Sequence, residues 1–297
     1  MILDNRKCVA ANFWLNLLTI IVLTLFFSSL SYSQVTKNVA LISNNTDQRQ
    51  PYLMGVFPYL APRELEKMYA PIAADYANTL GQNVQFMTSS TYKSFMKNLD
   101  NELYDIVFVQ PFDYVAIADK YGYLPIATRN KPLPAILVVN PNSSIKTIAD
   151  LKGKTIALPP SVAAMSYLIK DYLMENGLNP ETDVTIMHYR SHGSCMQKVL
   201  IKIADACGTA PPALRFFQAK MKTTLQIIAK TKSIPSSIFA IHPRVAKEHR
   251  QKLIKQITSW NKTSKGKQLL KGAKVEFFIP ISDNAYNDVR SMAKKYR

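Results

Sequence analysis

Short continuous apolar runs alternate along the chain with longer segments whose apolar residues recur every three to four positions, the mark of buried strands interleaved with amphipathic helices. Residues 52–57 read as a strand. Pro62 suits the first turn of a helix, with Glu64 and Glu66 near its positive end. Leu65, Met68, Ile72, Tyr76 and Leu80 then fall on one helical face, and Gly81 ends the segment. The pattern continues with a strand over 83–87, a helix over 91–103 with Phe95, Met96 and Leu99 inward, and a wholly apolar strand over 105–109, as in a parallel sheet covered on both faces. Pro111 opens a further helix that runs to Gly122. A Pro-rich stretch, 129–134, leads into a strand over 135–139, a turn at 141–144 and a short helix over 147–151. Strands over 154–158, 183–188 and 205–209 then alternate with helices over 163–176, 194–203 and 212–221. A strand over 225–229, a second crossover over 230–235, a strand over 236–241 and helices over 243–260 and 283–296 complete the reading.

Residues 54–112 and 154–212 repeat one order of elements at an offset of one hundred: strand, helix, strand, helix, strand, Pro, helix. Asn83-Val84-Gln85-Phe86-Met87 is echoed by Asp183-Val184-Thr185-Ile186-Met187; Ser94, Met96, Asp105 and Pro111 recur as Ser194, Met196, Asp205 and Pro211. Alternating strands and helices imply parallel sheets flanked by helices. The expected fold is therefore α/β with two similar lobes, each a mostly parallel sheet flanked by helices. Lobe I takes 34–130 and, after a return, 236–297; lobe II takes 131–235. Two crossings between lobes make a hinge, and a cleft between lobes is a common place to hold a small ligand.

The first 33 residues stand apart. Arg6 and Lys7 precede an apolar stretch over 13–27, and Ser31-Tyr32-Ser33 supplies small residues before Gln34. This is the layout of a signal peptide cleaved near Ser33; an uncleaved anchor is the alternative, although the apolar core falls short of the ~20 residues of a comfortable span. A strand is expected at 39–42. The mature chain is expected to be periplasmic. The formal charge of +17 raises the question of nucleic acid, but the basic residues are scattered without an aromatic stacking platform and export removes the chain from that partner. A basic solvated surface facing anionic envelope polymers is preferred. Cys195 opens a helix and Cys207 lies on the strand after it. Eight helical residues rise ~12 Å and three strand residues return ~10 Å, so the sulfurs reach similar heights. A disulfide is one outcome in an oxidising compartment; two small buried thiols are the other.

Ligands of open α/β sheets gather beyond the carboxyl ends of the strands, where helix N-termini offer unpaired N–H groups to anions. The repeat identifies the residues that reach this edge: Tyr59, Thr91, Tyr92 and Gln110 in lobe I; Ser161, Ser191, His192 and Thr209 in lobe II. Tyr92 and His192 occupy equivalent places, as do Thr91 and Ser191. The serines and threonines also suit helix caps, and the tyrosines suit a lobe core.

Met54-Gly55-Val56-Phe57-Pro58, Tyr69-Ala70-Pro71-Ile72-Ala73, the stretch from Tyr104 to Tyr114 ending Gln110-Pro111-Phe112-Asp113-Tyr114, the Ile148–Thr155 run with its Asp150-Leu151-Lys152-Gly153-Lys154, and the Ser191-His192 helix start carry a resemblance. Over roughly 52–279 the chain resembles the periplasmic substrate-binding proteins of phosphate, phosphite and phosphonate ABC importers, which have the type II periplasmic binding protein fold. The resemblance implies that Tyr92 and Tyr114, with hydroxyl residues near Ser161, line an oxyanion site, and that a membrane permease receives the ligand. Where that family often opens the first helix of its second lobe with a Ser-Thr-Ser-Gly run, this chain has Ser161-Val162-Ala163-Ala164-Met165-Ser166, with fewer hydroxyl donors, and no acidic residues for an aminoalkyl group are identified.

A monomer is expected, with a small anionic ligand, no cofactor, no metal and no nucleic acid. A sensory module reporting to a membrane histidine kinase would use the same physics. An enzyme is less favoured. Cys195 and His192 sit three apart at a helix start, where a thiol pKa is lowered, but no third group orients the histidine. The four histidines show no metal-ligand spacing.

Overall fold

The computed structural model describes residues 50–296; the signal-like segment and the strand expected at 39–42 lie outside them. Strand β1 (Tyr52–Val56) pairs in parallel with both β2 (Val84–Thr88) and β3 (Ile106–Val109). Helix α1 (Pro62–Leu80) connects β1 to β2, α2 (Tyr92–Asp100) connects β2 to β3, and α3 (Pro111–Tyr121) follows. The other edge of β3 is covered by β10 (Ile238–Ile241), which runs antiparallel to β3 and to β4 (Leu124–Arg129); β11 (Phe278–Ile279) completes a six-stranded sheet. Met54, Val56, Ile106 and Phe108 bury one face against Leu65, Tyr69, Ile72 and Tyr76 of α1. Val107 and Val109 bury the other against Phe95 and Leu99 of α2. Period-two strands buried on both sides read as unbroken apolar runs, as these do.

A second, five-stranded sheet joins β6 (Thr155–Leu158), β7 (Thr185–His188) and β8 (Ala206–Thr209) in parallel, then β5 (Leu133–Val139) and β9 (Gln226–Ile234) antiparallel. Its helices are α4 (Ala164–Glu175), α5 (His192–Leu200) and α6 (Pro211–Met221). The offset of one hundred survives in three dimensions. Helices α2 and α5, strands β3 and β8, and helices α3 and α6 each begin and end one hundred residues apart. Thr91 and Ser191 cap α2 and α5 through the backbone N–H groups of Ser94 and Ser194. Asp105 Oδ2 accepts from Leu53 N, and Asp205 Oδ2 accepts from Thr155 N, both at 2.8 Å. Glu102 and Lys202 adopt positive φ after their helices, as do Gly122 and Lys222. One architectural unit has thus been built twice with the same ties.

Cys195 and Cys207 are joined by a disulfide with Cα atoms 5.9 Å apart. Beside it, Gly208 is confined: a Cβ there would come within 2.5 Å of Leu158 and 2.7 Å of Ile169.

Four features differ from the expected elements. Strand β4 was not foreseen, because Pro125 lies inside it; the ladder accommodates the missing N–H with a register shift opposite Phe239 and Ala240. Strand β9 continues through Lys230-Thr231-Lys232-Ser233, which reads as a crossover because it is polar, so the connections between the sheets shrink to 130–132 and 235–237. The helix expected over 243–260 starts later, as α7 (Lys247–Ser259), and a further helix, α8 (Ser264–Gly272), follows it. Two glycines mask α8, and Gly266 is needed because a Cβ would lie 2.3 Å from the Trp260 backbone. Finally, α9 (Asn287–Lys295) touches both lobes rather than lobe I alone: Arg290 pairs with Asp119 of α3, and Lys295 with Asp171 of α4, each at 2.7 Å.

Candidate functional site

The carboxyl end of β3 carries Gln110, which precedes α3, and Tyr92 opens the neighbouring α2. Gln110 Nε2 donates to the Tyr92 hydroxyl at 2.9 Å and to Asp113 Oδ1 at 3.4 Å, while the Tyr92 hydroxyl donates to Asp113 Oδ1. Burial first, then the Asp113 carboxylate, push the Tyr92 phenol far above its usual range. It therefore stays a neutral donor at any physiological pH.

The same Gln110 amide crosses to lobe II. Its Nε2 donates to the Val162 carbonyl at 2.9 Å, and its Oε1 accepts from Ala164 N at 3.0 Å. Ala164 is the first residue of α4, so a side-chain oxygen from one lobe sits on an N–H group at the start of a helix in the other. Such a group has no partner within its own helix and carries the positive end of the dipole. Close by, Phe112 of α3 and Tyr167 of α4 stack with ring centroids 4.2 Å apart.

In lobe II, His192 opens α5 as Tyr92 opens α2, and its Nδ1 is hydrogen-bonded to Thr209 Oγ1 at 2.9 Å. Thr209 is fully buried at the end of β8. Burial lowers the His192 pKa to about 4, so the imidazole is neutral at pH 7. Ser191 engages Ser194 in a reciprocal capping box, and Ser161 is exposed just before the Val162–Ala164 segment.

The structure thus brings Tyr92 and Gln110 together, and His192 and Thr209 together. The remaining expected positions have other engagements. Thr91 and Ser191 cap helices. The Tyr59 hydroxyl is bonded to that of Tyr69 at 2.9 Å. Tyr114 is fully buried, its ring 4.7 Å from that of Tyr286 and its hydroxyl donating to Asp283 at 2.7 Å. Sequence reasoning passed over Asp113, Tyr167, the backbone of Val162 and Ala164, and Arg129. Asp113 had a signal, since it lies in the first turn of a helix three residues beyond Gln110, where a carboxylate faces back to the helix start. Backbone groups leave no mark in residue identity. Among the described residues, no cluster of three His, Cys, Asp or Glu is gathered as a metal site, and no helix is long and apolar enough to cross a membrane.

Two α/β lobes, each with three parallel strands and helix starts at their carboxyl edge, linked by two short crossings, define the type II periplasmic binding protein class. A family described as "ABC transporter, phosphonate, periplasmic substrate-binding protein" matches residues 54–286, and the chain belongs to it. Among solved structures, the chain is similar to PhnD1 from Prochlorococcus marinus in complex with methylphosphonate. The TM-score is 0.72 at 16% identity, over 82% of this chain and 97% of that one. It is also similar to a binding protein component of an ABC phosphonate transporter from Pseudomonas aeruginosa, with a TM-score of 0.69 at 16% identity over 84% and 87% of the two chains. A protein from Xanthomonas citri bound to ATP gives a TM-score of 0.69 at 14% identity, over 84% and 97%. At such identities the structural likeness speaks for the fold alone. Family membership places the protein among the periplasmic substrate-binding components of transporters.

Proposed function

We propose that the protein captures a small oxyanion with a phosphonate-like head where the Tyr92–Gln110 edge of lobe I meets the start of α4, and presents it to an ABC permease. The observation that carries this reading is the Gln110 bridge. Its neutral Oε1 occupies the Ala164 N–H that an anion's oxygen would take, and helix starts bind anions through such groups. The incoming oxyanion replaces Oε1 there; the Tyr92 hydroxyl turns its single proton from Asp113 to it, and His192 donates in its Nε2–H tautomer, which the Thr209 contact at Nδ1 permits. Donors fixed in advance cost little ordering on binding. Gln110, released from Ala164, keeps its own link to Tyr92. The mature form begins after Ser33 and acts as a monomer. Methylphosphonate in the Prochlorococcus complex and the chemistry of the family support the choice of head group.

Titration calorimetry of the mature chain tests the reading. Methylphosphonate, phosphite and phosphate are expected to bind, with at least one far tighter than sulfate or acetate. Tyr92→Ala and His192→Ala are each expected to weaken that binding about tenfold or more, the value of a lost charge-assisted hydrogen bond, with little change in melting temperature. Silence from every oxyanion, or unaltered affinity in both variants, would remove the site from this edge.

A further inference from the structure

Arg129 is the last residue of β4. Thr128 and Val109 both pair with Ile238, one from each side of β10. Arg129 and Gln110 therefore stand level at the same edge of the sheet, two strand spacings or ~10 Å apart in backbone. The side chain leans back across that gap, with its guanidinium carbon 5.1 Å from the ring centroid of Phe108, on β3, and 5.9 Å from that of Tyr59. It thus ends beside the strand that carries Gln110.

Its partners are unusual for an arginine. Arg244 meets Asp105 and Arg290 meets Asp119 and Asp283; Arg250 donates to the Pro125 carbonyl at 2.9 Å. Arg129 has no carboxylate among the described residues. One terminal nitrogen donates to the Tyr69 hydroxyl at a long 3.4 Å, and its Nε is buried with no acceptor. A guanidinium cannot escape its charge by deprotonation, so a half-buried one without a carboxylate partner carries a desolvation cost that is met here only by the Tyr69 and Tyr59 hydroxyls and neighbouring rings. Aromatic faces return only ~0.5–2 kcal/mol. Its planar fork matches a carboxylate in two-point fashion, which an ammonium would not.

We infer that Arg129, framed by Tyr59 and Phe108, is a subsite for a second anionic group of the ligand, so that the preferred guest is a carboxyalkylphosphonate rather than a simple alkylphosphonate. This rests on the oxyanion site proposed above: the phosphonate head takes the start of α4, and a carboxylate on a short methylene arm reaches the guanidinium. The absence of a Ser-Thr-Ser run at 161–163 fits the same picture, since fewer head-group donors leave more of the affinity to the other end.

Calorimetry on the mature chain with methylphosphonate, phosphonoacetate and 3-phosphonopropionate decides the matter. In the unmodified protein the better of the two diacids is expected to bind roughly tenfold or more tighter than methylphosphonate, as a charge-assisted two-point contact warrants. Arg129→Gln is expected to bring the two affinities within about threefold of each other, and Arg129→Lys to restore part of the ratio; melting curves of each variant establish that it is folded. A ratio near one in the unmodified protein, or a ratio untouched by Arg129→Gln in a folded variant, overturns the inference while methylphosphonate binding keeps the oxyanion site. If no phosphonate binds at all, the oxyanion reading itself falls and this subsite with it.

Discussion

His192 and Tyr92 occupy the same position in the two copies of the repeat but bring different chemistry to the site. The Tyr92 phenol is held neutral by burial and by Asp113. The imidazole is held neutral by burial alone, and that has a consequence for stability. An unfolded histidine titrates near 6.5, the folded one at about 4. Between those values the unfolded chain binds more protons, so stability rises with pH. The contribution is whole above about pH 6.5 and is lost as the pH falls through 4, with a ceiling of about 3 kcal/mol. Urea unfolding at pH 7.5 and pH 5 is therefore expected to show a larger loss in the unmodified protein than in His192→Asn, because every other titrating group is shared. Equal losses would mean that the ring is solvated in the folded state. Bound oxyanion reverses the sign of the environment, so the same acidification is expected to cost the complex less than the free protein.

At the scale of elements, the repeat is held by a tie that recurs one hundred residues apart. Asp105 and Asp205 each accept from an N–H of the first strand of their copy of the repeat, Leu53 and Thr155. Asp105 also pairs with Arg244 at 2.7 Å, whereas no such cation meets Asp205 among the described residues. Replacing either by Ala is expected to destabilise by about 1–3 kcal/mol, the cost of leaving a donor unsatisfied. Asp105→Ala should be the worse because it also strands Arg244. Chemical denaturation would show this; equal costs would place the stability in the strand N–H tie alone. The matched aspartates were visible in the chain before any fold was known, as were the parallel strands, because strands covered on both faces read as unbroken apolar runs. Other elements had no such signature. Pro125 hid β4, the polar Lys230–Ser233 stretch hid the second half of β9, and Gly266 and Gly272 hid α8. The candidate site was legible where a helix start coincided with the repeat, as at Tyr92, which meets Gln110, and His192, which meets Thr209. It was silent at Val162 and Ala164, which contribute backbone only, and at Arg129, where the sequence could not show that no carboxylate among the described residues meets the guanidinium.

Across the whole molecule, the lobes are joined by more than the two crossings. Helix α9 holds α3 through Arg290 and Asp119, and α4 through Lys295 and Asp171. Lys232 of β9 also reaches Asp171, at 3.2 Å. Burial would raise the Asp171 carboxyl, but hydrogen bonds from Lys295 and Lys232 outweigh it and hold the pKa below the ordinary range. The stacked Phe112 and Tyr167, with the Gln110 bridge beside them, tie the same two helices at the site end. Helix α4 is thus the element that both the strap and the proposed ligand site grip, and its position relative to lobe I sets whether the Ala164 N–H faces the other lobe. Removing one hold shifts the population of the arrangement that binds, and apparent affinity falls by the lost fraction. Lys295 is largely exposed, so its pair is worth no more than about 1 kcal/mol, a factor of about five in a binding constant. Lys295→Ala is therefore expected to weaken methylphosphonate binding about two- to fivefold, and to enlarge the ligand-free radius of gyration in small-angle scattering while leaving the ligand-bound value unchanged. Because Lys232 still neutralises Asp171, the melting temperature should move little. An unchanged ligand-free radius together with unchanged affinity would show that the crossings and the site, without the C-terminal helix, govern how the lobes come together.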